Sequence, residues 1–403
     1  MKMKKNIGVI FGSRSCEREV SIISAIQLMR YADTEKYEVF PVYIHEDGNW
    51  YTGNALRDLK TYQPFRGEQE NCMRVFLDMS SGSGALLHIR QNSGLIRKTS
   101  VEIAARIDVF VIVMHGLNGE DGSLQGMLEL ANVPYTSTGI VGSAVGMDKI
   151  IMKQFFRGGG LPVLPGAAFS RSEYHHHPEE VIKESEAKLG YPVFVKPANL
   201  GSSIGVSRAE NAQELSESLE LAFEYDRRVL VEKGLNKPIE LNCSVLGFDT
   251  EVTASPIEMP ISADEFLNFK EKYLANGGSK GMASLHRVLP APIEDSLKDR
   301  IQDLSKRIFR MLDCKGVVRI DYMYDADHAE LYITEINTIP GSLAFYLWEN
   351  AGISYSRLID RMISYAVTAH EEKNAANYAF TSDILQNASV GSKGSKGSKG
   401  TKG

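Results

Sequence analysis

The stretch Gly316–Tyr324, GVVRIDYMY, followed at Ala329–Asn337 by AELYITEIN, decides how the rest of the chain is read. Both runs are rich in β-branched and aromatic residues and read as strands flanking the turn Asp325-Ala326-Asp327. Side chains at i and i+2 of a strand face the same side. Arg319 and Asp321 therefore share one face, and Glu335 and Asn337 share another. If the strands pair, four polar side chains meet on one patch. The oxygen donors Asp321, Glu335 and Asn337 suit Mg²⁺, which is commonly held by one or two carboxylates together with substrate phosphates. The competing interpretation is a solvated sheet face with an incidental ion pair. The turn Thr338-Ile339-Pro340-Gly341 comes directly afterwards and either ends the strand or presents a backbone N–H beside that patch.

Upstream, Tyr191–Lys196 reads as a strand that runs into the glycine-rich loop Pro197–Gly205. Such a loop can lay backbone N–H groups on phosphate oxygens, with Lys196 adding charge. Its pattern is neither G-x-x-x-x-G-K-[ST] nor G-x-G-x-x-G, so an ordinary hairpin turn remains the alternative. Arg228–Glu232 is a further strand, and Glu240–Leu246 with Glu251–Glu258 looks like an antiparallel pair. Asp148–Phe156, Glu179–Leu189, Ile293–Leu312 and Tyr355–His370 are helical in pattern. Phe266–Ser284 has no clean period and contains Gly277, Gly278 and Gly281, which predicts a mobile loop.

The N-terminal third alternates strand and helix: Asn6–Phe11, the turn Gly12–Ser15, a helix through Val20–Met29, then a strand at Tyr37–Ile44. This pattern predicts a parallel sheet. Asp47–Arg97 is turn-rich and irregular. Ile107–Met114 is almost continuously apolar, as for a strand buried on both faces, and ends at His115-Gly-Leu-Asn-Gly-Glu-Asp-Gly122. Ligands of open α/β sheets gather at such strand ends. Glu17, just after the first turn, either holds an ammonium group or faces the dipole of the helix it opens. His175–His177 reads as a surface turn, Trp50 and Trp348 as packing residues, and Cys16 lacks a base partner.

Composition bounds the function. The chain has 403 residues, 43% hydrophobic and 24% charged, enough for a large core and two to four domains. Residues 391–403 carry four lysines and no acids; without them 41 basic residues face 51 acidic ones, a net −10. An acidic body excludes general nucleic-acid binding. No run of 18 apolar residues is present, so no membrane-spanning helix is expected. The four cysteines form no CxxC, and a cytoplasmic location is expected.

Six ordered segments, GSRSCEREVS, HGLNGEDGSLQGMLELANVPYTSTG, MDKIIMK, KPANLGSSIGVS, RIDYMYD and EINTIPG, resemble the D-alanine–D-alanine ligase family of the ATP-grasp superfamily. The resemblance runs from Asn6 to about Tyr365. It implies an α/β ATP-grasp fold in three domains: an N-terminal parallel α/β substrate domain at 1–138, and two α+β domains clasping ATP at 139–231 and 232–385, with a flexible tail at 386–403. It also implies an ATP-dependent ligase that joins two D-alanines through an acyl phosphate for peptidoglycan precursors, working as a homodimer.

By the same resemblance, Lys149 and Lys196 contact ATP phosphates, as do Gly201 and Ser203 of the loop. Glu232, Lys233 and Leu235 form the adenine hinge, Glu240 takes the ribose, and Lys272 meets the γ-phosphate. Asp321, Glu335 and Asn337 hold two Mg²⁺, with Mn²⁺ able to substitute. Glu17 orients the first D-alanine beside His115 and joins Ser202 and Tyr273 in a hydrogen-bonded triad. Arg319 and the Gly341 N–H stabilise the tetrahedral oxyanion. The chain departs from the family after Gly341: Ser342-Leu-Ala-Phe-Tyr346-Leu347 puts Tyr346 where the family has a serine that binds the second amino acid, and Ser342, the Tyr346 hydroxyl and Leu347 are expected at the acceptor. The acceptor expected first is D-alanine, with D-serine, D-lactate or another amino acid as alternatives. A nucleotide-binding scaffold without catalysis is the reading from a different class.

Overall fold

The structure is a computed structural model that describes residues 4–91, 99–261 and 287–377. Its first sheet is built around β1 (Lys5–Gly12), flanked in parallel by β2 (Tyr37–Ile44) and by β7 (Val109–Ile112), with α1 (Arg18–Tyr31) between β1 and β2. Six of the eight β1 residues and all four of β7 are buried, as the apolar runs require of strands covered on both faces. The parallel expectation holds for these three strands only. Asp47–Arg97, irregular by sequence, supplies β3 (Trp50–Thr52), β4 (Met73–Leu77) and β5 (Ala85–Gln91), which with β6 (Thr99–Arg106) extend the sheet antiparallel in the order β6-β5-β4-β3-β2-β1-β7. α2 (Ser123–Leu130) follows the sheet.

Two short helices lead onward, α3 (Ile140–Met147) and α4 (Lys149–Gly158). Asp148 separates them by capping α4, accepting from the Ile150 and Ile151 N–H groups, each at 3.1 Å. The second sheet contains β8 (Gly166–Ser170), β9 (Val193–Pro197), β10 (Ser207–Ala209) and β11 (Arg228–Lys233), all antiparallel in the order β10-β9-β11-β8. Helices α5 (Arg171–His176), α6 (Pro178–Leu189) and α7 (Ala212–Tyr225) belong to this unit. His175 and His176 are exposed but end α5, where a turn was expected, because Ser170 and Glu173 form a capping box that starts a helix there.

The third sheet is antiparallel in the order β14-β13-β12-β15-β16, with β12 Ile239–Phe248, β13 Glu251–Pro260, β14 Arg287–Val288, β15 Gly316–Asp325 and β16 Glu330–Asn337. Helix α8 (Asp295–Met311) covers it with Ile301, Ser305, Ile308 and Phe309, one buried stripe of helical period. The final helices α9 (Phe345–Asn350) and α10 (Tyr355–Ala375) pack back into the first sheet: Trp348, Leu358 and Met362 share a core with Ile7, Phe11 and Leu28. Trp348 is fully buried, and its indole N–H donates to Ser244 Oγ at 3.0 Å. This return of the chain brings the turn after β16 against α1. The expected loop at 266–284 and the tail at 386–403 lie outside the described residues. No described helix is long and apolar enough to cross a membrane.

Candidate active site

β15 and β16 pair so that Arg319 stands opposite Asn337 and Asp321 opposite Glu335. The four polar groups thus converge as the alternation requires. Arg319 donates through Nε and Nη2 to the two Asp321 oxygens at 2.7 and 2.6 Å, a bidentate pair. Asn337 Nδ2 donates to Asp321 Oδ2 at 3.0 Å. Burial works against the Arg319 charge, but Asp321 more than offsets this and holds its pKa well above the usual value.

The lysines come from the second sheet and from α4. Lys149 Nζ donates to the Leu200 carbonyl at 2.8 Å and lies 3.3 Å from Glu335 Oε2. Lys196, at the end of β9, donates to Glu232 Oε2 at 2.7 Å. Glu232 Oε1 is 2.5 Å from Lys153 Nζ, which also donates to the Ile333 carbonyl at 2.9 Å. Burial would raise the Glu232 pKa, yet the two ammonium groups hold it below the usual carboxylate range. Burial lowers Lys153, whereas Lys196, despite its burial, is raised by Glu232. Lys153 thus ties the second sheet to the third, a role that the sequence reading missed. Glu240 on β12 lies within electrostatic reach of Lys196. Lys233 ends β11 with its side chain exposed, and Leu235 follows on the connection to β12.

Glu17 occupies the N-cap position of α1 but makes no cap bond. Its carboxylate is buried and instead accepts from the Ser202 hydroxyl of the glycine loop. The loop turns there through positive φ at Ser202 and Ser203. Room for the carboxylate comes from two glycines: a Cβ on Gly116 or on Gly201 would stand 2.5 Å from Glu17 Oε2. Tyr273, the expected third member, and Lys272 lie outside the described residues.

His115 is fully enclosed. Its Nδ1 meets the Ile339 carbonyl at 2.8 Å and its Nε2 meets Ser24 Oγ at 3.1 Å. Burial lowers its pKa to about 4, so the ring is neutral at pH 7. Ser24 Oγ also accepts the Ser342 N–H at 3.0 Å, which joins α1, His115 and the turn after Gly341. Glu120 adds a second link: it accepts the Gly116 N–H at 2.9 Å and the Ile339 N–H at 2.8 Å. Burial first, and then the neighbouring Glu17 charge, push its carboxyl up to about 8. Ser24 was not marked by sequence, and Glu120 was visible only as part of HGLNGEDG. The turn itself is strained, with Ser342, Leu343 and Ala344 all at positive φ. Leu347 is buried behind it. The Tyr346 hydroxyl, expected to face a ligand, donates to Glu258 Oε2 at 2.9 Å.

One cavity is lined by Glu17, Glu120, Lys149, Gly201, Glu335 and Asn337, drawn from all three sheets and their loops. Among the described residues no group of three His, Cys, Asp or Glu is arranged to hold a metal. The donor set is two carboxylates and one amide, Asp321, Glu335 and Asn337, now facing Arg319 and Lys149. Such an all-oxygen set fits a hard cation that shares its shell with phosphate oxygens.

The family model of the D-ala D-ala ligase N-terminus matches residues 6–138, and that of the C-terminus matches residues 155–364. The D-alanine–D-alanine ligase of Thermosipho africanus is 36% identical over 380 residues, 94% of this chain and 98% of that one. The Natranaerobius thermophilus enzyme of the same name is 38% identical over 386 residues, 94% and 100% of the two chains. Among solved structures, the D-alanine–D-alanine ligase from Coxiella burnetii superposes with a TM-score of 0.73 at 25% identity, covering 92% of this chain and 96% of that one. The VanG D-Ala:D-Ser ligase from Enterococcus faecalis gives a TM-score of 0.73 at 30% identity, covering 90% and 100%. Three sheets in this order, both family halves in sequence and relatives aligned over nearly their whole lengths place the chain in the D-alanine–D-alanine ligase family, with its three-domain ATP-grasp fold.

Proposed function

We propose that the chain is an ATP-dependent D-alanine–D-alanine ligase, and that the cavity joining Glu17, Lys149, Gly201, Glu335 and Asn337 is where the donor carboxylate meets the γ-phosphate. That convergence carries the reading: an ammonium-binding carboxylate, a phosphate-binding lysine and a metal-type donor set share one small space.

The chemistry follows from the residues. A carboxylate is a poor electrophile. An oxygen of the donor D-alanine attacks the γ-phosphorus, ADP leaves, and an acyl phosphate results. The amine of the second amino acid attacks the acyl carbon, loses a proton, and inorganic phosphate departs. Glu17, held by Ser202 and spaced by Gly116 and Gly201, takes the donor ammonium beside the neutral His115. Lys149 and Lys196 lie along the phosphates, with Ser203 on the loop above them. Lys196 stays charged because Glu232 raises its pKa. Glu232, Lys233 and Leu235 border the adenine, and Glu240 the ribose. Arg319 and the Gly341 N–H face the developing oxyanion; one donor of this kind is typically worth ~2.7–4 kcal/mol. Asp321, Glu335 and Asn337 would hold Mg²⁺ or Mn²⁺, whose chemistry is to neutralise charge on the transferring phosphoryl oxygens.

The test is phosphate release screened over D- and L-amino acids, with products weighed by mass spectrometry. Release with D-alanine alone, yielding the dipeptide and ADP, supports the reading. No ATP turnover with any amino acid would leave a nucleotide-binding scaffold in its place. A second reading keeps the donor and changes the acceptor, since Tyr346 stands where the family has serine. A faster rate when D-serine or D-lactate accompanies D-alanine identifies it.

A further inference from the structure

An α-amino acid acceptor brings a carboxylate two bonds from its attacking nitrogen. That nitrogen must reach the acyl carbon beside Arg319 and Gly341, so the carboxylate enters the same buried space and needs a cation there. In the ligase reading the cations described so far are assigned to other groups, Lys149 and Lys196 to the phosphates and Arg319 to the oxyanion. Lys153 and Lys196 share Glu232, Lys149 faces Glu335, and Arg319 holds Asp321 through two hydrogen bonds.

Arg287 stands elsewhere. It lies on β14, paired to Pro260 of β13, with only 9% of its side chain exposed. Its Nη1 is 2.7 Å from Glu258 Oε1, and its guanidinium sits 3.9 Å from the centre of the Tyr346 ring. Glu258 Oε2 accepts the Tyr346 hydroxyl, which closes a three-residue cluster. Glu258 stands opposite Asn242 on β12, which in turn stands opposite Asp321 on β15, so the cluster lies on the sheet that carries the oxyanion arginine, and Glu258 and Tyr346 both act electrostatically on Arg319. Tyr346 lies in α9, which begins four residues after Gly341. The same short segment therefore carries both the oxyanion turn and the ring over which Arg287 sits. A guanidinium over an aromatic ring and paired with a carboxylate is restricted in orientation, and its planar fork matches a carboxylate.

Building on the ligase reading above, we propose that Arg287, held by Glu258 and the Tyr346 ring, receives the carboxylate of the acceptor amino acid. Tyr346 is then a positioning residue, which replaces the expectation that its hydroxyl binds the acceptor directly.

The test is a competition. The parent and Arg287→Met are each given ATP, Mg²⁺, D-alanine and D-alaninamide, which keeps the amine and lacks the carboxylate. Mass spectrometry reads the ratio of free dipeptide to dipeptide amide. Both products form in one mixture, so the ratio is independent of how active or stable a variant is. The parent is expected to favour the free dipeptide, and Arg287→Met to lose about tenfold or more of that preference, as for loss of a charge-assisted pair. Tyr346→Phe, which keeps the ring and frees Glu258, is expected to shift the ratio the same way by a smaller factor. An unchanged ratio in Arg287→Met overturns the proposal. Where that variant does not fold, Arg287→Lys takes its place, since an ammonium cannot reproduce the planar fork, and an unchanged ratio overturns the proposal equally. A parent that forms neither product refutes the ligase reading itself, a separate outcome.

Discussion

Replacing Glu232 by glutamine removes the carboxylate that Lys153 and Lys196 share. Glu232 is 1% exposed and Lys153 3%, with N···O separations of 2.5 and 2.7 Å to the two ammonium groups. Breaking a buried ion pair from one side costs about 3–5 kcal/mol, because the remaining charge stays buried without compensation. Lys153 keeps the Ile333 carbonyl and the glutamine oxygen can still accept one bond, so we expect the lower end, about 3 kcal/mol. At roughly 2–4 °C per kcal/mol that is a fall in Tm of about 6–12 °C, read by scanning calorimetry at pH 7. The effect has a pH signature. The folded pKa of Glu232 is depressed, so its contribution is present above the unfolded value near 4.5 and is lost as pH falls through the folded value. Parent and variant should therefore converge at acid pH. Adding Lys153→Met removes the orphaned ammonium and should restore part of the lost stability. A Tm within 1 °C of the parent (about the error of such a scan), or a gap that persists unchanged into acid, would show that the shared carboxylate does not hold the two ammonium groups.

Three further outcomes follow from the site. Gly116→Ala places a Cβ 2.5 Å from Glu17 Oε2 at φ +71°, so the carboxylate must move; donor kcat/KM should fall about 100-fold, and a near-parental value would count against Glu17 as the donor anchor. Glu120 has its carboxyl pushed up to about 8, so its stabilising share is complete below about 4.5 and fades as pH rises through 8; a Tm series should show a decline over that window that Glu120→Gln lacks. Glu335→Gln trims the oxygen donors opposite Asp321, and steady-state turnover should drop about 100-fold or more and stay low at saturating Mg²⁺. Recovery at high Mg²⁺ would show a weakened ligand rather than an essential one.

Much of the site was legible because its signals are local. The period-2 alternation of RID and EIN places Arg319, Asp321, Glu335 and Asn337 correctly once the two strands pair. The glycine loop and Glu17 stood out by residue type, and Ser202 joins them as the family resemblance implies. What stayed hidden depends on distant partners. Lys153 reads as one more helical lysine until it meets Ile333, 180 residues later, and Glu120 bonds Ile339 across 219 residues. The strands at Trp50–Thr52 and Met73–Leu77 are short and bounded by turns, so no periodicity could build up before the chain reversed. Tyr346 was read as a departure from the family at the acceptor side, but its commitment to Glu258 on β13 is a tertiary fact. Arg287 follows a stretch without period and carried no sequence signal at all.

In the proposed reaction this chain activates D-alanine as an acyl phosphate. Oxygen-18 in both carboxylate oxygens of D-alanine probes that step, with the inorganic phosphate analysed after one round of synthesis. If the donor carboxylate attacks the γ-phosphorus, one labelled oxygen travels with each phosphate and the dipeptide's peptide carbonyl keeps the other. Unlabelled phosphate released in step with ADP would rule the acyl phosphate out, because ATP would then be cleaved without the donor carboxylate ever bonding to phosphorus.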